Sequence, residues 1–142
     1  MKYEITSVRA GWLASKKDNI RKIIALENEL LKLEQLDIPP EHVFGTGFYA
    51  RTIKVPKGGC LTGKIHLTEH IFMLSAGEMT VFTEDGPKHI KAPYQAVCKP
   101  GTKRAGYAHE DCICTNVHIT GETDIEKLEV ELVCNDLLML GV

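Results

Sequence analysis

Apolar positions follow two different periods along the chain. Across residues 16–36 they recur every three or four positions, which is typical of an amphipathic helix. Asp37-Ile38-Pro39-Pro40 follows and would end that helix, because the residue before a proline avoids the α region. From Val43 onward, short alternating segments separated by glycine or proline turns predict strands. The pattern therefore predicts a helical arm at 1–40 and a β-rich part at 41–142 that together form one folding unit.

The predicted strands are short and closely spaced. They cover residues 48–55, 61–69, 71–76, 79–83, 88–91, 94–98 and 112–120. Such spacing with few intervening helices is typical of an antiparallel sandwich or barrel. Near the end, Thr123-Asp124-Ile125-Glu126 fits a capping box that opens a short helix. The apolar segment 137–140 is expected to dock on the core or on a partner subunit.

Composition excludes several classes of protein. The chain has 17 Lys and Arg against 19 Asp and Glu, a net charge of −2, so it lacks the basic face that a long nucleic acid needs. No apolar run approaches the length of a membrane span. The five cysteines include one C-x-C and no C-x-x-C, which favours reduced thiols and a cytoplasmic location over a zinc knuckle or a redox pair.

A histidine pair carries the first candidate chemistry. If residues 63–70 lie on one strand, Lys64, His66, Thr68 and His70 point to the same side, because strand side chains alternate between faces. Should that side face a barrel interior, two imidazoles and an ammonium share an enclosed space. Neutral imidazoles are good ligands for divalent transition metals, but a metal site usually needs three or four protein ligands. The third ligand would then come from one of two further histidines, His109 or His118.

The stretch 58–77 resembles the first conserved motif of the cupin superfamily. A glycine stands at each end with the expected interval, and His66 matches the second histidine of the motif. Lys64 stands where the first histidine would be, and His70 where the glutamate would be. In the degraded second motif, Arg104 occupies the histidine position. The resemblance implies a mainly β, cupin-type double-stranded β-helix, or jelly-roll barrel. The patterns described above add an N-terminal helix and a short C-terminal helix to it.

Family cupins hold a divalent metal with three histidines and a glutamate, and only one of those four positions is matched here by type. His70 can replace the glutamate as a ligand, whereas Lys64 and Arg104 cannot, because both are cations at neutral pH. A bound transition metal on His66 and His70 is therefore one alternative and a metal-free pocket is another.

Several longer stretches resemble small, uncharacterised cupin-like proteins of tailed bacteriophages. The matching residues are 41–45, 48–51, 63–66, 69–70, 83–86 and 100–111, ending near His118. The C-x-C at 112–114 departs from that group, where a tryptophan-bearing strand is expected. The resemblance implies a phage origin and, in that case, a location in the host cytoplasm.

Replacing metal ligands with Lys64 and Arg104 leaves fixed positive charge in the pocket. Lys103 and a protonated His66 or His70 would add to it. A small cationic pocket suits a carboxylate, a phosphate or a nucleotide, which arginine contacts through two parallel hydrogen bonds. Stacking faces are expected from two tyrosines, and His109 is the remaining candidate for the pocket wall. The predicted ligand-binding residues are Lys64, His66, His70, Arg104, Tyr107, Tyr49 and His109.

Simpler structural roles compete with these functional ones. Both cations can be solvated, and the paired histidines can be hydrogen-bonded inside the barrel without a ligand. We expect Glu69 to face outward, His42 and His89 to lie on the surface, and Cys112 and Cys114 to fill the core.

Three functions are compatible with the sequence. The first is a non-catalytic binder of a small anionic molecule, such as a nucleotide-derived defence signal of the host. The second is a metal-dependent enzyme of the isomerase or dioxygenase type found among cupins. The third is a virion or assembly component, in which the N-terminal helix and the apolar tail make oligomer contacts. A homodimer or higher oligomer is expected throughout.

Overall fold

The computed structural model describes residues 18–134, and the architecture of these residues is mainly β, as predicted. No helix among them is long and apolar enough to cross a lipid bilayer. Helix α1 covers 18–30 and helix α2 covers Ile125–Leu132. The strands are β1 (Glu41–Gly45), β2 (Phe48–Val55), β3 (Cys60–Thr62), β4 (Ile65–His66), β5 (His70–Ala76), β6 (Glu78–Thr83), β7 (Gly86–Lys91), β8 (Tyr94–Cys98), β9 (Ala105–Ala108), β10 (Cys112–Ile119) and β11 (Val133–Cys134).

Two antiparallel sheets enclose the interior. One has five strands in the order β1-β2-β10-β5-β8, and the other has four in the order β3-β9-β6-β7. At one end the interior is filled by buried side chains from both sheets: Val55, Leu74, Met79, Ile90, Ala108, Cys112 and Cys114. The two cysteines of the C-x-C are therefore part of the core. The opposite end of the interior is open and forms the cavity described below.

Helix α1 packs on the barrel through one apolar face. Ile20 is buried against Ile65 and Cys134, so the helix contacts its own chain rather than standing free. The described helix ends at residue 30, six residues before the predicted end. The side-chain amide of Gln35 donates to the backbone oxygens of Leu30 and Leu33, each at 2.9 Å. These bonds satisfy carbonyls that a continued helix would have used, which explains the earlier end.

The predicted strand at 61–69 is wrong in its continuity. The chain breaks at Gly63 and Lys64, so β3 pairs with β9 and the two-residue β4 pairs with β11. At the break, the Gly63 amide donates to the Arg104 oxygen and the His66 amide to the Thr102 oxygen, each at 2.9 Å. His66 and His70 consequently lie on different strands. Strands β1, β9 and β11 were not predicted.

Helix α2 follows β10, as predicted, but its cap is one residue later than the predicted capping box places it. Asp124, not Thr123, is the N-cap, and its side chain accepts from the amides of Glu126 and Lys127. The apolar side of α2 buries Leu128 and Leu132 against Tyr49. This contact closes one side of the cavity. The apolar segment 137–140 lies outside the described residues.

Candidate functional site

A cavity of about 510 Å³ opens between the two sheets and α2. Its volume lies within the range of small-molecule sites. The polar and aromatic side chains in its wall are His42, Tyr49, Arg51, Thr62, Lys64, His66, His70, Phe72, Cys98, Thr102, Arg104, Asn116, His118 and Glu129, and the apolar ones include Ile38, Ile53, Leu61, Val81, Leu128 and Leu132.

A row of side chains crosses the inner face of the five-stranded sheet. The strand register places Phe44, Tyr49, His118, His70 and Cys98 side by side, one on each strand. Because side chains alternate along a strand, all five point to the same face. Adjacent rings stack with centroid distances of 4.9 Å for Phe44 and Tyr49, 5.9 Å for Tyr49 and His118, and 4.9 Å for His118 and His70. The sheet thus builds a continuous aromatic wall.

His66 adds a third imidazole to this wall from β4. Its ring stacks on His70 with centroids 4.1 Å apart and lies 5.7 Å from His118. Burial, together with the nearby imidazoles and arginines, lowers the pKa of His66 to about 3. Burial likewise lowers the pKa of His118 to about 4 and lowers that of His70. All three rings are therefore neutral at pH 7.

The fixed charge of the cavity is positive. Arg104, just before β9, donates from Nη1 to the Cys98 sulfur at 2.9 Å, and its Nη2 lies 3.6 Å from Oε1 of Glu84 in the β6–β7 turn. Arg51 lies on β2, one position along the inner face from the aromatic row. Lys64 is half exposed at the rim, with its Nζ 4.0 Å from Oε2 of Glu129. Within the described chain, three cations thus line the cavity against one lining carboxylate, that of Glu129.

Five of the residues predicted to bind a ligand line this one cavity: Tyr49, Lys64, His66, His70 and Arg104.

Tyr107 and His109 do not line the cavity, so placing them in the pocket was wrong. Tyr107 lies on β9, where its backbone pairs with β3 on one side and β6 on the other. Its side chain is exposed on the four-stranded sheet. His109 lies against Tyr107 with ring centroids 5.1 Å apart, and its Nε2 is 2.7 Å from Oγ1 of Thr80. The position of these two residues was mispredicted because strand β9 was not recognised in the sequence. Without it, the direction of the side chains on and beside that strand could not be predicted.

Lys103 was expected to add charge to the pocket and does not. Its side chain is only 2% exposed and points away from the cavity to helix α1. There Nζ donates to Oε2 of Glu27 at 3.0 Å and to the Gly63 oxygen at 2.7 Å.

Sequence reasoning also missed residues that do line the cavity. His42, expected on the surface, lies in the wall with its Nδ1 2.6 Å from the Tyr49 hydroxyl. Arg51 and Asn116 are neighbours in the register and face the same interior. The sequence did contain a signal for Arg51. It lies two positions after Tyr49 on the same strand, so the two side chains face the same side.

The residues present do not fit a divalent metal ion. Within 18–134, no group of three or more His, Cys, Asp or Glu side chains is placed to hold one. A ligating imidazole nitrogen directs its lone pair within the ring plane, so two rings stacked face to face, as in His66 and His70, cannot aim at a common ion. His109 lies outside the cavity, and Arg104 adds positive charge beside the imidazoles. The proposed metal site at His66 and His70 with His109 or His118 is therefore not supported by the geometry.

Comparison with known proteins bears on the fold. No family model matches the sequence, and no curated protein matches it. Solved structures do match. One is an uncharacterized conserved protein with a double-stranded β-helix domain from Klebsiella pneumoniae, at 18% identity and a TM-score of 0.54, covering 65% of this chain and 84% of that chain.

Two further structures agree with this. KdgF from Halomonas sp. matches at 17% identity and a TM-score of 0.52, covering 64% of this chain and 86% of that chain. A cupin superfamily protein from Desulfitobacterium hafniense matches at 6% identity and a TM-score of 0.52, covering 61% and 81%. Likeness at such low identity bears on architecture alone. The chain has the cupin-type double-stranded β-helix fold that the sequence predicted.

Proposed function

We propose that the barrel binds a small organic anion. The observation that carries this proposal is the unequal charge of the cavity wall. Arg51, Arg104 and Lys64 line the cavity as cations, and the three buried imidazoles are neutral. Glu129 lies 4.0 Å from Lys64, and Glu84, outside the lining, lies 3.6 Å from Arg104, so the three cations exceed these two carboxylates by one positive charge. A desolvated arginine contacts a carboxylate or phosphate through charge-assisted hydrogen bonds, which are about twice as strong as neutral ones.

The rest of the wall favours an anion attached to a flat or apolar body. Phe72, Ile53 and Leu61 line the space beside the charged groups. The Tyr49 ring is buried between Phe44 and His118 and supports the wall without offering a free stacking face. Asn116 adds an amide that can donate to and accept from a polar ring edge. A nucleotide-derived molecule has an anionic group, a flat ring and a polar ring edge, and we propose this class of ligand first.

The resemblance to phage proteins supports a role in which binding itself is the activity. A phage-encoded binder of a host nucleotide-derived signal lowers the free concentration of that signal without breaking a bond. Such a role needs an enclosed site and affinity, and it needs no metal. The size of the cavity and its cations are consistent with this requirement.

The test is thermal shift followed by calorimetry on the purified full chain. Probes are mononucleotides, cyclic dinucleotides, sugar phosphates and inorganic phosphate, with uncharged nucleosides as neutral counterparts. We expect an anionic probe to raise the melting temperature and its uncharged counterpart to leave it unchanged.

Matched variants then locate the site. Arg104→Gln and Arg51→Gln should each weaken binding about tenfold or more, because a hydrogen bond to a charged group contributes about 1.5–3 kcal/mol. Arg21→Gln, an exposed arginine on α1, is the control and should bind as the wild type does. A flat response to every probe, or equal binding by Arg104→Gln and the wild type, would overturn the proposal.

A further inference from the structure

Arg104 is an incompletely satisfied cation in the cavity wall. Its Nη1 donates to the Cys98 sulfur, a weak acceptor, and its Nη2 lies 3.6 Å from Oε1 of Glu84, beyond hydrogen-bond distance. Its Nε is buried and has no hydrogen-bond partner among the described residues. Buried polar groups in proteins are usually hydrogen-bonded. Arg104 therefore retains donor capacity for an anionic ligand.

Glu84 sets the charge around Arg104 without lining the cavity itself. Both side chains are largely withdrawn from water, with Arg104 25% and Glu84 23% exposed. Oε2 of Glu84 is buried and also lacks a hydrogen-bond partner within the described part of the chain. Because little water surrounds this pair, the charge of Glu84 acts on Arg104, and on a ligand beside Arg104, with little screening.

The other charged groups of the cavity are in closer contact with solvent. Lys64 and Glu129 lie at the rim, 45% and 63% exposed, with 4.0 Å between Nζ and Oε2. Arg51 is exposed as well. Water and salt weaken the interactions of such groups. Of these five charged groups, Arg104 and Glu84 are thus the ones that solvent screens least.

We infer that Glu84 makes the cavity selective for a ligand group with one negative charge, such as a phosphodiester or a carboxylate, over a phosphate monoester. The inference rests on the proposed function, since it concerns the anion that contacts Arg104. Among the described residues, three cations and two carboxylates at the cavity leave one positive charge. A singly charged group neutralises it. A phosphate monoester carries about 1.5–2 negative charges at pH 7 and leaves an excess of negative charge in the site.

Desolvation increases this preference. The free energy needed to take an ion out of water grows with the square of its charge, so a dianion costs about four times as much as a monoanion of the same size. The attraction to the cavity wall grows only in proportion to the charge of the ligand. Neutralising Glu84 strengthens that attraction and leaves the desolvation of the ligand unchanged. A variant without this carboxylate should therefore accept the dianion.

The experiment is isothermal titration calorimetry on the full chain at pH 7.5 with matched pairs of nucleotides. For each base, the cyclic monophosphate is a diester with one negative charge, and the 5′-monophosphate is a monoester with about two. The wild type should bind the cyclic member of a pair about tenfold more tightly. Glu84→Gln should bind both members more tightly, and the ratio of the two affinities should shift about tenfold toward the monoester. A merely structural role of Glu84 would not produce a gain of affinity.

Asp85→Asn is the matched control. Asp85 lies in the same turn, is exposed and does not line the cavity, so this variant should bind both nucleotides as the wild type does. Circular dichroism shows whether Glu84→Gln is folded. Should it unfold, Glu84→Ala replaces it, with the same expectation.

Two results would overturn the inference and leave the proposed function standing. One is a wild type that binds monoesters, including sugar phosphates and inorganic phosphate, at least as tightly as diesters. The other is a folded Glu84 variant in which the ratio of the two affinities is unchanged. A wild type that binds neither these nucleotides nor any other anionic probe would overturn the proposed function, and this inference with it.

Discussion

His66 and His70 stack with their ring centroids 4.1 Å apart although they lie on different strands. The short connection 67–69 turns the chain between them, and Nδ1 of His70 lies 3.5 Å from the Thr68 oxygen inside that turn. Protonating one ring would place its charge directly against the other ring and close to Arg104. The stack is therefore a structure of neutral imidazoles, and acid should oppose it.

The first prediction concerns the pH dependence of stability. The pKa of His66 is lowered to about 3 and that of His118 to about 4, from an ordinary value of about 6.5 in the unfolded chain. The unfolded state therefore binds more protons below pH 6.5, so the free energy of unfolding falls as the pH falls. Each imidazole kept neutral by the fold contributes a slope of about 1.4 kcal/mol per pH unit below pH 6.

Urea unfolding between pH 8 and pH 5 measures this slope. His118→Gln should reduce it, because one titrating ring is removed from the stack. Asn116→Ala, which changes a cavity-lining residue that does not titrate, should leave the slope as in the wild type. A free energy of unfolding that stays constant from pH 7 to pH 5 would contradict the prediction.

Local sequence patterns were sufficient to predict a strand where the strand's own residues carry the signal. Strands β2 and β8 have the bounds predicted for them, because alternation and flanking turn residues are both local signals. Strand β9 was missed because Ala105-Gly106-Tyr107-Ala108 lacks β-branched residues. Its partners are β3 and β6, and this pairing is a tertiary effect.

The same distinction between local and tertiary signals explains which features of the site could be predicted. His66 and His70 were expected to meet through strand alternation, and they meet instead across a turn. The direction of the Lys103 side chain is set by its partner Glu27, which lies 76 residues away in the sequence, so it was not predictable from neighbouring residues. Arg51 lies two positions after Tyr49 on β2, so the two side chains were predictable as facing the same side. Which side faces the cavity could not be predicted from β2 alone.

The second prediction concerns two glycines with positive φ. Gly77 has φ of 92°, and a Cβ there would lie 2.3 Å from the Asp111 oxygen, which is backbone. Gly86 has φ of 102° with open space around it. Gly86→Ala should therefore cost only the conformational strain, about 1–3 kcal/mol. Gly77→Ala adds a backbone clash and should cost more, or prevent folding.

Chemical denaturation of both variants at the same pH gives the comparison. An equal loss of unfolding free energy in the two variants would show that the structure relieves the clash at Gly77 at no cost, contrary to the prediction.

The third prediction separates two candidate caps of α2. Asp124 accepts from the Glu126 amide at 3.0 Å and the Lys127 amide at 3.4 Å. Replacing it with alanine removes both acceptors, so Asp124→Ala should lower the free energy of unfolding by about 1 kcal/mol. Thr123→Ala should change it little, since Thr123 is not the cap. Thermal unfolding measures both, and a larger loss for Thr123→Ala would restore the capping box first predicted.

The fourth prediction concerns the ion pair between buried Lys103 and half-buried Glu27, which attaches α1 to the barrel. Oε2 of Glu27 accepts from Nζ of Lys103 at 3.0 Å and from Oγ1 of Thr62 at 2.5 Å. Since Lys103 is 2% exposed, Glu27→Gln would leave a buried ammonium without its counter-ion, at a cost of about 3 kcal/mol. Glu29→Gln is the matched control on the same helix. Its partner Lys32 is exposed, so the loss should stay below about 0.5 kcal/mol.

The pH dependence of this difference identifies its electrostatic origin. Burial acts to raise the pKa of Glu27, but the hydrogen bonds from Thr62 and Lys103 and the charge of Lys103 outweigh it, and the pKa is lowered. The stabilisation is thus complete above the unfolded value of about 4.5 and is lost as the pH falls through the lower folded value. The gap between wild type and Glu27→Gln should accordingly be constant from pH 8 to pH 6 and narrow below about pH 4.5. A gap that does not narrow in acid would show that packing, and not the ion pair, holds α1 in place.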